Sequence, residues 1–468
     1  MCIVGLYMND QLAAIRNGEK LSLREEIVLI IRLSLPAILA QLSSVIMQYI
    51  DASMVGHMGA NASAAIGLVT STTWLIGGLM TAASMGFTVS VAHRIGAKDE
   101  AGARVIVKWG LICVLAFGLM LMAVCVGISG YLPTWMGGDV AIRKDASAYF
   151  LVYALTLPIH EMLYVSQGMI QSSGNIRVPS ILSVIMCALD VLFNAIFIPI
   201  LGVVGAALGT SISIVIIAVI MMYILLVQSP VLHLVGRKDK VKVGFPSFLQ
   251  SEMVTALKIA VPVAIDNIIM GFAYVAFTRI VSQYGTIAVA ANSFSITAES
   301  LCYMPGFGIS VAATTIIGQC IGARRRDEAK RLGWMAVILG MAVMGFSGFL
   351  MWLFAPQMIG ILSPDAEIRA LGTEILRIEA FAEAFYGAAI VSAGVFRGAG
   401  ETMLSSVLNL ASVWCVRIPL AWHLGSMYGL KGAWIAMCSE LCVRGILFLI
   451  RMCLWNRKNS KRSKETNL

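Results

Sequence analysis

The chain has 468 residues, 59% of them hydrophobic and 13% charged, with a mean hydropathy of +0.86. Those values exclude a soluble globular protein of this size and indicate a polytopic membrane protein. The net charge of +9 would suggest nucleic acid in a soluble chain, but in a membrane protein it is first weighed against the habit of cytoplasmic loops to collect Lys and Arg.

The first twenty residues hold one short apolar patch, Cys2 to Tyr7, which is not a signal-peptide pattern. Residues 1–26 are read as a cytoplasmic segment. Apolar stretches then fall at about 33–55, 62–92, 105–130, 147–171, 178–199, 205–228, 257–281, 288–320, 332–362, 374–396, 402–424 and 430–455, each near or above the roughly 20 residues that cross a bilayer as a helix. The expected fold is an all-α integral membrane protein with twelve transmembrane helices in two pseudo-symmetric six-helix bundles. Alternate connections carry Arg94, Lys98, Arg104 and Lys108; Arg177; Arg237, Lys238, Lys240 and Lys242; Arg324, Arg325, Arg326, Lys330 and Arg331; and Arg397. The others are nearly bare, so both termini are expected to be cytoplasmic. Topology accounts for the charge, and nucleic acid is not needed. The ten cysteines fall mostly inside apolar runs with no CxxC pair, which reads as small buried hydrophobes.

The chain repeats itself at an offset of about 226 residues. LSLP ending at Pro36 matches IAVP ending at Pro262, IGAK with Gly96 matches IGAR with Gly322, and VSQGMIQSSG ending at Gly174 matches VSAGVFRGAG ending at Gly400. GVVGAALG from Gly202 matches GLKGAWIA from Gly429 one residue later in phase. An even number of spans per repeat gives both copies the same orientation, as in parallel-repeat transporters, and implies a cavity between the halves. The expected lobes are 27–228 and 253–455, joined by a cytoplasmic linker at 229–252 and followed by a basic tail at 456–468.

Asp51 lies near the far end of the first span, at about 22 Å beyond Pro36 if the helix rises about 1.5 Å per residue. Intramembrane acids default to a functional reading. Asp190 is the only charge between Arg177 and Arg237, and Asn194 lies one turn on along the same face. Helix geometry puts Asn194, Thr210 of the sixth span and Asp51 at one depth, with Asp190 about a turn deeper. Carboxylate, amide and hydroxyl oxygens form the ligand set of a hard cation such as sodium, and a carboxylate could instead carry a proton. The bland reading is a polar cluster that holds helices together.

The second half carries the opposite sign at the equivalent place. Arg417 is the only charge between Glu401 and Lys431 and is expected to pair with Glu379 of the tenth span. That leaves Glu383, one turn on, for a substrate. Glu299 and Asp266 are further intramembrane acids, while His57 and His423 are weaker candidates.

On LSLP with Pro36, YIDASMVGHMG with Asp51, IGAKDEAGAR, GVVGAALGT with Thr210, VFRGAG with Arg397 and WCVRIPLA with Arg417, the chain from Leu33 to Trp455 resembles the multidrug and toxic compound extrusion (MATE) family. The resemblance implies a bacterial inner-membrane antiporter that exports organic and often cationic compounds in exchange for sodium or protons, and the working unit is expected to be a monomer. It carries over Pro36 as the bend of the first helix and Asp51, Asn194 and Thr210 as ion-coupling residues. Family members often have Asn then Asn or Asp where this chain has Asp190 then Asn194. One sodium-coupled branch has acids where Met270 and Tyr386 stand here. A lipid-linked oligosaccharide flippase of the same superfamily is the nearest rival, with extra spans and a cationic cavity as its marks. A major-facilitator transporter would show GxxxDRxGRR after the second span, where this chain has RIGAKDEAGAR. A membrane enzyme has no support, since there is no HExxH and no Ser-His or Cys-His pair at helical spacing.

Overall fold

In lipid every backbone N–H and C=O must be satisfied inside the segment, so long apolar runs fold as helices. A computed structural model describes residues 10–17, 19, 21–56, 58, 60–235, 249–363 and 365–465, and no strand occurs among them. A short helix α1 (Asp10–Asn17) precedes α2 (Leu23–Gly56), α3 (Ala60–Gly96), α4 (Glu100–Ile128), the one-turn α5 (Leu132–Trp135), α6 (Val140–Ser172), α7 (Arg177–Leu201) and α8 (Val203–Tyr223), which runs on through a π segment, Ile224–Gln228. A second π segment, Leu249–Met253, leads into α9 (Val254–Ser282). Then come α10 (Thr286–Gly322), α11 (Arg326–Leu362), α12 (Ala366–Glu379), α13 (Glu383–Gly398), α14 (Thr402–Ser412), α15 (Ile418–Tyr428) and α16 (Leu430–Glu465), with a π segment Val413–Arg417 joining α14 to α15.

Eleven helices among the described residues are long and apolar enough to cross a membrane, and α12 with α13 makes a twelfth bent by 59°. The expected tenth span at 374–396 is thus a broken one. Neither Pro nor Gly lies between Glu379 and Glu383, so no local signal announced the break; Ala382 N donates to Glu379 O at 2.8 Å to close the turn. At α4 and α12 the helix starts well ahead of the apolar run, because its first turn is charged and capped. Asp99 accepts from Gly102 N at 2.8 Å ahead of α4, and Asp365 accepts from Glu367 N at 2.9 Å ahead of α12.

The repeat is visible in the backbone. Lys98 and Arg324 each have φ of 59°, Gly174 and Gly400 have φ of 95° and 76°, and Gly202 and Gly429 have φ of 61° and 62°. Each pair closes the same turn in its half, and the left-handed conformation explains the glycines.

Contacts divide the chain into two units, Met1–Arg16 with Leu42–Ala264, and Asn17–Gln41 with Ile265–Leu468. The division departs from the sequence halves 27–228 and 253–455, since the first part of α2 packs with the second unit and the first part of α9 with the first. Each handover falls just past a proline, Pro36 or Pro262, where the missing N–H removes a rung of the helix ladder. The helix α2 nevertheless continues unbroken through Pro36. Unit one has a core around Ile106, Met169 and Ile217 and another around Val69, Phe150 and Leu157. Unit two has cores around Trp434 and Ala433, and around Met351 and Leu376. Of the linker, residues 236–248 with Arg237, Lys238, Lys240 and Lys242 lie outside the described residues, as does His57. The tail continues α16 as helix to Glu465.

Candidate functional site

Three helices of unit one bring the predicted polar residues together. Asp51 comes from the end of α2, Asp190 and Asn194 from α7, and Thr210 from α8. Asn194 Nδ2 donates to Asp51 Oδ1 at 2.9 Å and to Asp190 Oδ2 at 3.2 Å. The two carboxyl groups lie within interaction range of each other, and Thr210 lies beside Asp190. Asp190 and Asn194 are both 1% exposed. All four residues singled out for ion coupling therefore meet in one place.

The crossing of α7 and α8 creates the room. A Cβ on Gly209 would strike the Asn194 side chain and come within 2.9 Å of its main-chain N, and a Cβ on Gly205 would strike Phe197 O. Only glycine lets α8 approach this closely while the Asn194 amide stays between the helices. Val55, Ala62, Ile198, Val203 and Ala206 form an apolar cluster beside the site, with Tyr149 packed against it.

Two buried acceptors of the site, Asp190 Oδ1 and Asn194 Oδ1, have no hydrogen-bond partner. Buried polar atoms are ordinarily satisfied, so the orphaned oxygens fit either a small cation, which takes oxygen ligands, or a proton carried by a carboxyl. Asp51, Asp190, Asn194 and Thr210 are the residues that would hold it.

The equivalent crossing in unit two is apolar. At the positions corresponding to Asp51, Asn194 and Thr210 stand Phe277, Ala421 and Met437, all in one hydrophobic cluster. The position equivalent to Asp190 is that of Arg417.

Arg417 does not pair with Glu379, as the sequence led us to expect. Its Nε and Nη2 donate to Glu440 Oε2 at 3.0 and 2.7 Å. Arg444 binds the same carboxylate, with Nε to Oε1 at 2.7 Å and Nη2 to Oε2 at 2.9 Å, and lies over the Tyr386 ring. The π segment that ends at Arg417 inserts an extra residue in the turn and so rotates the side chain relative to a regular helix; it meets α16 rather than α12. Glu440 and Arg444 sit one turn apart inside the last apolar run, and that spacing was the available signal.

Glu379 and Glu383 stand on either side of the break between α12 and α13, buried, with no hydrogen-bond partner on any carboxyl oxygen. Glu299 of α10 is buried as well and within electrostatic reach of Arg417. Asp266, whose partner the sequence left open, accepts from Asn409 Nδ2 at 3.1 Å. One further intramembrane acid went unremarked: Glu161 of α6, fully buried, accepts from Ser84 Oγ at 2.9 Å. Its signal was a single carboxylate well inside the fourth apolar run.

The sequence pattern of the MatE family matches residues 36–196 and again 262–423, one match in each half and each starting at the proline of its first helix. The chain belongs to the MatE family. Its members are transporters, not enzymes. Curated relatives of this MatE protein include a probable multidrug resistance protein NorM of Thermotoga maritima, 26% identical over 90% of this chain and 91% of the relative. A protein of the same name from Bacillus cereus is 23% identical over 94% of this chain and 98% of its own length. Among solved structures, a crystal structure of MATE in complex with MaL6 superposes with a TM-score of 0.86 at 21% identity, covering 96% of this chain and all of the other. The shared fold of this MatE chain is that of a multi-pass membrane protein with twelve helices when the bent pair is taken as one span.

Proposed function

We propose that this MatE protein is a multidrug efflux antiporter of the bacterial cell membrane, which exports organic, often cationic compounds in exchange for protons or sodium ions. Its relatives named as multidrug resistance proteins along nearly their whole length support the efflux reading. The observation that carries the coupling is the bridge from Asn194 to both Asp51 and Asp190, with orphaned acceptors left over. Two carboxyl groups facing one amide repel unless a proton or a cation lies among them. Taking up that charge from outside removes the repulsion and draws the end of α2 toward α7.

Coupling requires that ion and substrate favour different states of the protein, and not merely that each binds tightly. The ion stabilises the arrangement in which Asp51 and Asp190 are drawn together, and substrate the one in which they are apart. The basic connections that carry Arg94, Arg104 and Arg177 in unit one and Arg326 in unit two are cytoplasmic, and the chain works as a monomer by alternating access. Glu379, Glu383, Glu299 and Arg417 are candidates to line the substrate path. The test is efflux from liposomes with the pH and sodium gradients imposed separately. Drug movement that ignores both gradients overturns the antiport reading.

A further inference from the structure

The first helices of the two halves are each tethered near their starts by an acid at the same place in the repeat. Glu26 of α2 and Glu252, just ahead of α9, stand 226 residues apart, at the repeat offset. Glu26 forms an ion pair with Arg331 of α11, and Glu252 forms one with Arg94 of α3. In both pairs the acid is the more buried partner, 2% and 15% exposed, while the arginine side chains are 50% and 40% exposed. Arg94 is held additionally by Asp99 at 2.6 Å.

The pairing is crossed with respect to the sequence. Glu26 belongs to the first half and its arginine to the second; Glu252 begins the second half and its arginine lies in the first. A close helix approach accompanies each pair. A Cβ on Gly308 of α10 would come within 2.6 Å of Ile38 N, and one on Gly86 of α3 would strike Ala256 O. Each half thus donates the start of its first helix, through the proline and a few residues beyond it, to the other half's packing. One ion pair and one glycine contact hold each donated segment. None of these residues belongs to the Asp51 site, which lies at the opposite end of α2.

We propose that Glu26–Arg331 and Glu252–Arg94 are two ionic latches built on equivalent acids. They hold the starts of the first and seventh spans in the packing seen here, and both break when these segments swing away at the handover points just past the prolines. The division of labour within each pair suits that role. The half-exposed guanidinium can return to water when the pair opens, at little cost, whereas the buried carboxylate makes the closed position specific. The acids are equivalent but the arginines come from non-equivalent helices, α11 and α3, so each latch has its own threshold for release. The inference rests on the alternating-access reading above.

Cysteine labelling tests it without any gradient or substrate, so a failure of ion coupling would leave the result readable. In full-length protein with its native cysteines replaced, single cysteines are placed at Ala37 and Ala256, both buried in the latched segments, and at Ala65, buried elsewhere in unit one. Glu26→Gln should speed maleimide labelling at position 37 roughly fivefold, and Glu252→Gln should do the same at position 256, with position 65 unchanged. Arg331→Gln, on the half-exposed partner, gives a second route to the first result if the buried substitution folds poorly. The exchange Glu26→Arg with Arg331→Glu should return labelling to near the starting rate. Unchanged labelling in both acid variants, no restoration by the exchange, or a parallel rise at position 65 would each overturn the latches.

Discussion

Asp266 accepts a hydrogen bond from Asn409 across 143 residues, the same separation that joins Asp51 to Asn194. Both bridges link the first and fifth spans of their half. Allowing for the repeat, the second bridge lies eleven residues earlier on its helices, about three turns or roughly 16 Å. The two halves therefore carry one polar device at two depths. Near Asp266 are Arg397 and Arg444, whereas near Asp51 is a second acid. Opposite charge around the same Asp–Asn bridge gives the second one the character of a helix tie.

Asp51→Asn retains the shape of the side chain and removes the charge. The variant should insert and fold, yet lose gradient-driven efflux. Transport in liposomes against thermal unfolding of the same preparation checks this, and near wild-type coupling would refute it. Asp190→Asn should be only partly impaired, because Asp51 still faces Asn194.

Gly209→Ala should destabilise the protein by about 1–3 kcal/mol, since the added methyl meets Asn194 and α8 must move away. Transport should fall with it. The matching change in the second half, Ala436→Gly, touches no polar site and should leave coupling intact. Melting temperatures and proteoliposome efflux of the two variants give the comparison.

Removing Glu440 takes from Arg417 and the buried Arg444 the carboxylate to which both donate hydrogen bonds. Glu440→Gln should cost roughly 3–5 kcal/mol. A double-mutant cycle should show strong coupling between Arg417 and Glu440 and near-additivity for Arg417 with Glu379. The reverse pattern would restore the pairing inferred from sequence.

Asp266→Asn should lower the melting temperature without abolishing ion-driven efflux, if its bridge to Asn409 ties helices and does not couple ions. Loss of coupling with unchanged stability would contradict that assignment.

Lys98 and Arg324 occupy the left-handed region at matching turns, a conformation that costs a side chain about 1–2 kcal/mol. Lys98→Gly and Arg324→Gly should each leave the fold intact and relieve part of that strain. Unfolding temperatures no higher than the parent's would show that charge or chain entropy at these turns outweighs it.

The sequence by itself determined the membrane class, the span positions, the repeat and the Asp51–Asp190–Asn194–Thr210 cluster. These follow from local quantities: run length against bilayer thickness, charge between runs, and helical rise, which converts residue number into depth. Rotation about each helix axis and the pairing of distant helices are not local quantities. A π segment turned Arg417 toward Glu440, a break without Pro or Gly separated Glu379 from Glu383, and the starts of α2 and α9 changed partners just past their prolines. Only the tertiary structure decided these, because each depends on which side chain a neighbouring helix presents, and a few degrees of rotation change that choice without altering the apolar pattern along the chain.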